Sequence, residues 1–190
     1  MKTEKINLRF GIITLMVLAG AFSRLIPHPW DFTAIGATAL FGAAYFSNRI
    51  IALLVPLVSV WLSDIVMNNT VYSSFHGNKL WLFPEVFPWQ YAGFALITLV
   101  GFGLLKKVKL TSVIGSSLVA SIIFFLMSNI GVWLGNSLYP QNFAGLTACY
   151  AAGIPFFWNT IAGDLFFCGV LFGVFELAKY KFPVLQVAKA

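Results

Sequence analysis

Six apolar runs separated by short polar turns set the terms on which this chain can fold. They cover residues 8–26, 33–46, 50–67, 87–105, 113–134 and 159–178. Most approach the roughly 20 residues that a helix needs to cross a hydrocarbon layer of about 30 Å. Only 9% of the 190 residues are charged, whereas a water-soluble domain carries about a quarter. Too little charge is present to cover a wetted surface, so the apolar excess needs lipid as its solvent. The sequence predicts an all-α membrane protein, a six-transmembrane-helix bundle forming one integral membrane domain over residues 1–190. The second run is short. A seventh stretch, 145–157, is shorter than a comfortable span and contains Pro155. It reads as a short interfacial or re-entrant helix before the last span.

The cations give the topology a direction. With the N-terminus in the cytoplasm, the inner segments hold Lys2, Lys5, Arg9, Arg49, Lys106, Lys107, Lys109, Lys179, Lys181 and Lys189, and the outer side holds Arg24 and Lys79. Cytoplasmic loops are enriched in Lys and Arg, and ten against two favours six crossings with both termini cytoplasmic. The expected location is the bacterial cytoplasmic (inner) membrane. The net charge of +6 is thereby explained by topology, with no nucleic acid as partner. Lys2, Lys5 and Arg9 before an apolar run and Ala19-Gly20-Ala21 also match the layout of a cleaved secretory signal. The run continues to Ile26, which favours an uncleaved first helix.

On this topology the polar and aromatic residues gather on the outer side. Arg24, His28, Trp30 and Asp31 lie at the end of the first helix and in the first outer loop. Asp64 ends the third helix, and His76 lies in an outer loop over 68–86. Asn129 and Trp133 end the fifth helix, and Asn159 and Asp164 begin the sixth. Polar groups within a bilayer are costly and mark function or helix pairing. These ten are the candidate substrate-binding residues of an outward-facing pocket, with loop 68–86 as a lid. Each has a structural alternative. The tryptophans fit an interfacial belt, Arg24 can pair with Asp31 or Asp64, and His28 between two prolines fits a rigid turn. Asp164, in an apolar helix, has the best functional claim.

Several chemistries are absent. There is no Walker A pattern, no HExxH and no GxSxG. Asp64 and Asp164 could imitate an intramembrane aspartyl protease pair, but Ile161-Ala162-Gly163-Asp164 lacks the first glycine of GxGD. His28 and His76 have no metal-ligand spacing, and Cys149 and Cys168 form neither a CxxC nor a His-paired site. The reading is therefore non-enzymatic, with no cofactor and no metal.

The stretch Arg24-Leu-Ile-Pro-His-Pro-Trp-Asp-Phe-Thr through Ala43, followed by Val55-Pro-Leu and Ser63-Asp64, resembles an uncharacterised family of small bacterial integral membrane proteins. That family is similar to the substrate-binding S components of energy-coupling factor vitamin transporters. The resemblance implies capture of a vitamin-like small molecule from the outer face, with docking on a transmembrane coupling protein driven by cytoplasmic ATPases. S components often carry an Ala-xxx-Ala surface on helix 1, and the nearest equivalent is Ala19 with Ser23, a departure that bears on docking. The expected partners are the lipid bilayer and a small-molecule ligand. A proton- or ion-coupled carrier using Asp64 or Asp164, and a non-transporting membrane scaffold, are the alternatives.

Overall fold

The computed structural model describes residues 2–76, 80–83, 87–135 and 137–186, and the side chains of these except 2–7, 75 and 76. The described chain is all helical. It consists of α1 (Lys2–Phe22), α2 (Ile35–Tyr45), α3 (Arg49–Thr70), α4 (Phe87–Leu104), α5 (Leu110–Gly135) and α6 (Phe143–Lys181), with 3-10 turns at Ser23–Leu25, Ser73–His76 and Pro183–Gln186. Five of the six helices are long and apolar enough to cross a membrane. Leucines, isoleucines and valines such as Leu15, Ile50, Leu99, Ile122 and Val174 face outward on them, as expected where lipid is the solvent.

The exception is α2. The run 33–46 was expected to form a span, but its helix has 11 residues. At 1.5 Å per residue that is about 16 Å, roughly half a hydrocarbon layer. Every residue of α2 is buried, and all five other helices pack around it. Small residues make this possible. A Cβ on Gly20 of α1 would lie 2.6 Å from Thr38, one on Gly42 would lie 2.8 Å from Pro56 of α3, and one on Gly101 of α4 would lie 2.8 Å from Ala43. Backbones approach closely where side chains are absent, the usual means of helix association in lipid.

A helix that begins and ends inside the bundle exposes unpaired amides at one end and carbonyls at the other. Ala34, at the N-cap, offers no side-chain cap. The Asp164 carboxylate of α6 fills that role. It bonds to the Ala37 amide and accepts a hydrogen bond of 2.7 Å from Ser121 of α5. At the other end Arg9 of α1 donates to the Tyr45 carbonyl at 3.2 Å. A carboxylate thus sits at the positive end of the α2 dipole and a guanidinium at the negative end, the favourable arrangement. Ala39 and Ala43 are both buried in α2.

The last helix also differs from expectation. Residues 145–157 are not a separate interfacial helix. They form the first part of α6, which runs for 39 residues through Pro155. Proline is tolerated inside membrane helices because neighbours can re-satisfy the freed carbonyl. Here the packing along α5 supports the join: Tyr150 donates to the Leu126 carbonyl at 2.8 Å, and the rings of Phe125 and Phe157 lie 4.7 Å apart. The first helix is an integral part of the bundle, with Ile13, Val17 and Ala21 buried.

The contacts sort charges to opposite ends. Arg9, Tyr45, Glu176 and Lys179 meet at one end, where Lys179 bonds to Glu176 at 2.9 Å and Tyr45 donates to Glu176. Arg49 lies over the Phe102 ring. Arg24, Asp64 and Tyr91 meet at the other.

Candidate functional site

A cleft of about 260 Å³ opens between α4, α5 and α6 at the Asp64 end of the bundle. Phe124 and Phe125 of α5 and Phe156 and Phe157 of α6 form its apolar walls. Its polar groups are Gln90 of α4, Ser128 and Asn129 of α5, Thr160 of α6, and Tyr139 from the α5–α6 connection. Asp31 reaches it from the segment that joins α1 to α2. Apolar walls with a few convergent polar groups are the ordinary make-up of a ligand site, and the volume lies just below the usual range of about 300–1,000 Å³.

Local structure explains each position. The side chain of Asn142 caps α6 by accepting from the Gly145 amide at 2.9 Å, and Trp133 donates to the Pro140 carbonyl at 2.9 Å. These bonds fix the α5–α6 turn above the cleft. Gly153 leaves room for the Asn129 amide, since a Cβ there would lie 2.5 Å from Asn129 Oδ1. The Asn129 Nδ2 donates to the Phe125 carbonyl at 2.8 Å.

Asp31 is placed by a tight turn. The Phe32 amide bonds to the Pro29 carbonyl at 3.1 Å, and Asp31 has φ 61°, a region that non-glycine residues enter sparingly. Asn159 of α6 holds this turn by donating to the Trp30 carbonyl at 2.9 Å. Beneath it a Cβ on Gly163 would meet the Thr33 amide nitrogen at 2.9 Å, so the loop backbone lies directly on α6. Partial shielding by the surrounding chain pushes the Asp31 carboxyl above its ordinary range, against the opposing pull of Arg24 and His28, while its side chain stays open to solvent.

Beside the cleft, Arg24 bonds to Asp64 at 2.5 Å and to Ser63 at 3.3 Å. Tyr91 donates to the other Asp64 oxygen at 2.7 Å. Of the two sequence alternatives for Arg24, the pair forms with Asp64. None of these four residues lines the cleft.

Of the ten sequence candidates, Asp31 and Asn129 line the cleft, and Asn159 supports the loop that carries Asp31. Arg24 and Asp64 are tied to one another. Asp164 lies in the bundle interior as the cap of α2. Trp133 pins the α5–α6 turn. Trp30 is 70% exposed, and His28 Nδ1 lies 2.7 Å from the Pro29 carbonyl. The His76 side chain lies outside the described residues. The described part of loop 68–86 is fastened to α3 rather than laid over the cleft: Asn69 exchanges two hydrogen bonds with the Trp81 backbone, and Trp61 donates to the Leu82 carbonyl. This described part adds nothing to the lining; residues 77–79 and 84–86 of the expected lid lie outside the described residues. Among the described residues no group of three or more His, Cys, Asp or Glu comes together.

Gln90, Ser128, Thr160 and the four phenylalanines were missed. Gln90, Ser128 and Thr160 carry a signal, as polar side chains in otherwise apolar helices, whereas the four phenylalanines read like lipid-facing residues.

A family model described as a family of unknown function (DUF6580) matches residues 4–185. No curated protein and no solved structure matches the chain.

Proposed function

The chain belongs to the DUF6580 family, whose description assigns no activity, and we propose from its own geometry that it is a substrate-binding protein capturing a small, ring-containing molecule in the cleft between α4, α5 and α6. The observation that carries this reading is the cleft itself: four phenyl faces, five neutral polar side chains and one carboxylate converge on a single volume of about 260 Å³. In this reading the cleft faces outward, both termini are cytoplasmic, and the membrane is the bacterial cytoplasmic one. The gathering of Arg49, Lys106, Lys107, Lys109, Lys179 and Lys181 at the opposite end supports that orientation. Capture from outside is the role of an S component, and a coupling protein with ATPases would supply the energy that this chain has no motif to supply.

The test is a thermal-shift screen of the purified protein in lipid nanodiscs against aromatic vitamins, nucleobases and aromatic amines. Ala152 lines the cleft and is exposed, so Ala152→Trp fills the space without disturbing the interior. Ligands that stabilise the wild type should leave Ala152→Trp unmoved. Equal shifts in both proteins, or no shift with any compound, would remove the cleft from consideration.

The carrier alternative loses its main support. Asp164 is occupied by Ser121 and by the start of α2, and Asp64 by Arg24 and Tyr91.

A further inference from the structure

Taking the α4–α5–α6 cleft as a small-molecule site, we propose that its ligand is an aromatic organic cation, a ring bearing a protonated amine, with Asp31 as its counter-charge. Among the described residues Asp31 is the one side chain in the lining that carries charge near neutral pH. Among the described residues no lysine, arginine or histidine lines the cleft. An anion entering it would lose water against phenyl rings and meet a carboxylate, with no cation among the described lining residues to compensate. A cation meets the negative faces of those rings and gains from both.

Arg24 and His28 both act on Asp31, but His28 Nδ1 lies 2.7 Å from the Pro29 carbonyl and Arg24 is committed elsewhere. Its guanidinium is 2.5 Å from Asp64, and Tyr91 completes the Asp64 carboxylate. Arg24 at +1, Asp64 at −1 and Asp31 at −1 leave this corner at −1. Among the described residues Asp31 forms no ion pair, and it is exposed, so a ligand can reach it.

The backbone carries the second argument. The third residue of the turn from Pro29 to Phe32 has φ 61°, a place where glycine sits with least strain. Aspartate stands there instead, held by the bond from Asn159 to Trp30. Aspartate is among the residues that enter this region, and the turn so held presents its carboxylate to the cleft.

Three ring compounds of one shape separate the charges: tryptamine, a cation; tryptophol, neutral; and indole-3-acetate, an anion. Binding to the full-length protein in nanodiscs of neutral lipid is measured by titration calorimetry. Tryptamine should bind about tenfold more tightly than tryptophol, the size expected for a partly exposed charge pair joined to a cation–π contact, and indole-3-acetate should bind least. Asparagine tolerates positive φ, so Asp31→Asn keeps the turn. It should abolish the preference for tryptamine while tryptophol binds as before. Indole-3-acetate or tryptophol binding as well as tryptamine overturns the cation assignment and leaves the cleft as a site. Preference for tryptamine surviving in Asp31→Asn overturns the role of Asp31. Failure of all three to bind at millimolar concentration defeats this proposal, and a failed vitamin and nucleobase screen beside it defeats the site as well.

Discussion

Replacing Gly36 by alanine should destabilise the protein, and the same substitution should become stabilising once Asp164 is removed. Gly36 is the second residue of α2, and a Cβ there would lie 2.4 Å from Asp164 Oδ1 and 2.9 Å from its Cγ. The carboxylate cannot retreat freely, because it is held by Ser121 and the Ala37 amide. Overpacking of this kind costs about 1–3 kcal/mol. Alanine recovers up to about 1 kcal/mol of helix propensity, so Gly36→Ala should lose about 1–2 kcal/mol net. Asp164→Ala leaves a helix-end amide without its acceptor, at about 1–3 kcal/mol, while the Ser121 hydroxyl falls back on the Ser117 carbonyl at 3.1 Å. Removal of the buried carboxylate's own desolvation penalty offsets part of that, for a net loss of about 1–2 kcal/mol. In the double variant the clash has no partner, so alanine at 36 contributes only its propensity. The coupling between the two sites is then the overpacking cost itself, about 1–3 kcal/mol. Unfolding in mixed micelles with increasing dodecyl sulfate, for the wild type, both single variants and the double, measures it. Additivity within about 0.5 kcal/mol, or the same sign for Gly36→Ala in both backgrounds, would refute the account of Asp164 as the cap of α2.

Three further outcomes are expected. Asp64→Ala should cost about 3–5 kcal/mol in the same unfolding assay, because it strands the Arg24 guanidinium, while Tyr91→Phe removes one bond to a charged acceptor and should cost about 1.5–3 kcal/mol; equal losses would deny the ion pair its place. Arg9→Met should cost about 1 kcal/mol, the scale of a cation at a helix C-terminus, and less than Asp164→Ala; a larger loss than Asp164→Ala would reverse the ranking of the two caps. With Cys149 and Cys168 buried, Lys107→Cys gives a single accessible thiol, which an impermeant maleimide should label in inverted vesicles and not in whole cells; labelling of whole cells would turn the protein over.

The long helices were legible because length and apolarity together have few solutions in lipid. Leu110–Gly135 and Phe87–Leu104 lie close to the runs that announced them. The pairing of Arg24 with Asp64 was within reach because an intramembrane cation needs a partner. Depth was not legible. An apolar run of moderate length around Ile35–Tyr45 reads the same whether it crosses the layer or stops halfway, and only the neighbours that cap it decide. Pro155 misled in the opposite direction: a helix breaker in water is tolerated between packed membrane helices. The cleft was the least visible part, because Phe124, Phe125, Phe156 and Phe157 look like lipid-facing residues until α5 and α6 are set side by side.

The shortness of α2 and the position of the site have one cause. A full-length second span would start at the surface of the bundle, and its link from α1 would lie outside. Because α2 starts within the bundle, the chain after Leu25 must dip inward to reach Ile35. In doing so it rests on Gly163 and Asn159 of α6, and that descent carries Asp31 to the cleft. Asn159 does not line the cleft, so it acts as a positioning residue. Asn159→Ala should free the Trp30 carbonyl and let the turn relax. Tryptamine affinity should then fall several-fold toward that of tryptophol, with tryptophol itself unchanged. A general loss of packing would weaken both ligands alike, and that result would sever the link between the buried half-helix and the charge presented to the ligand.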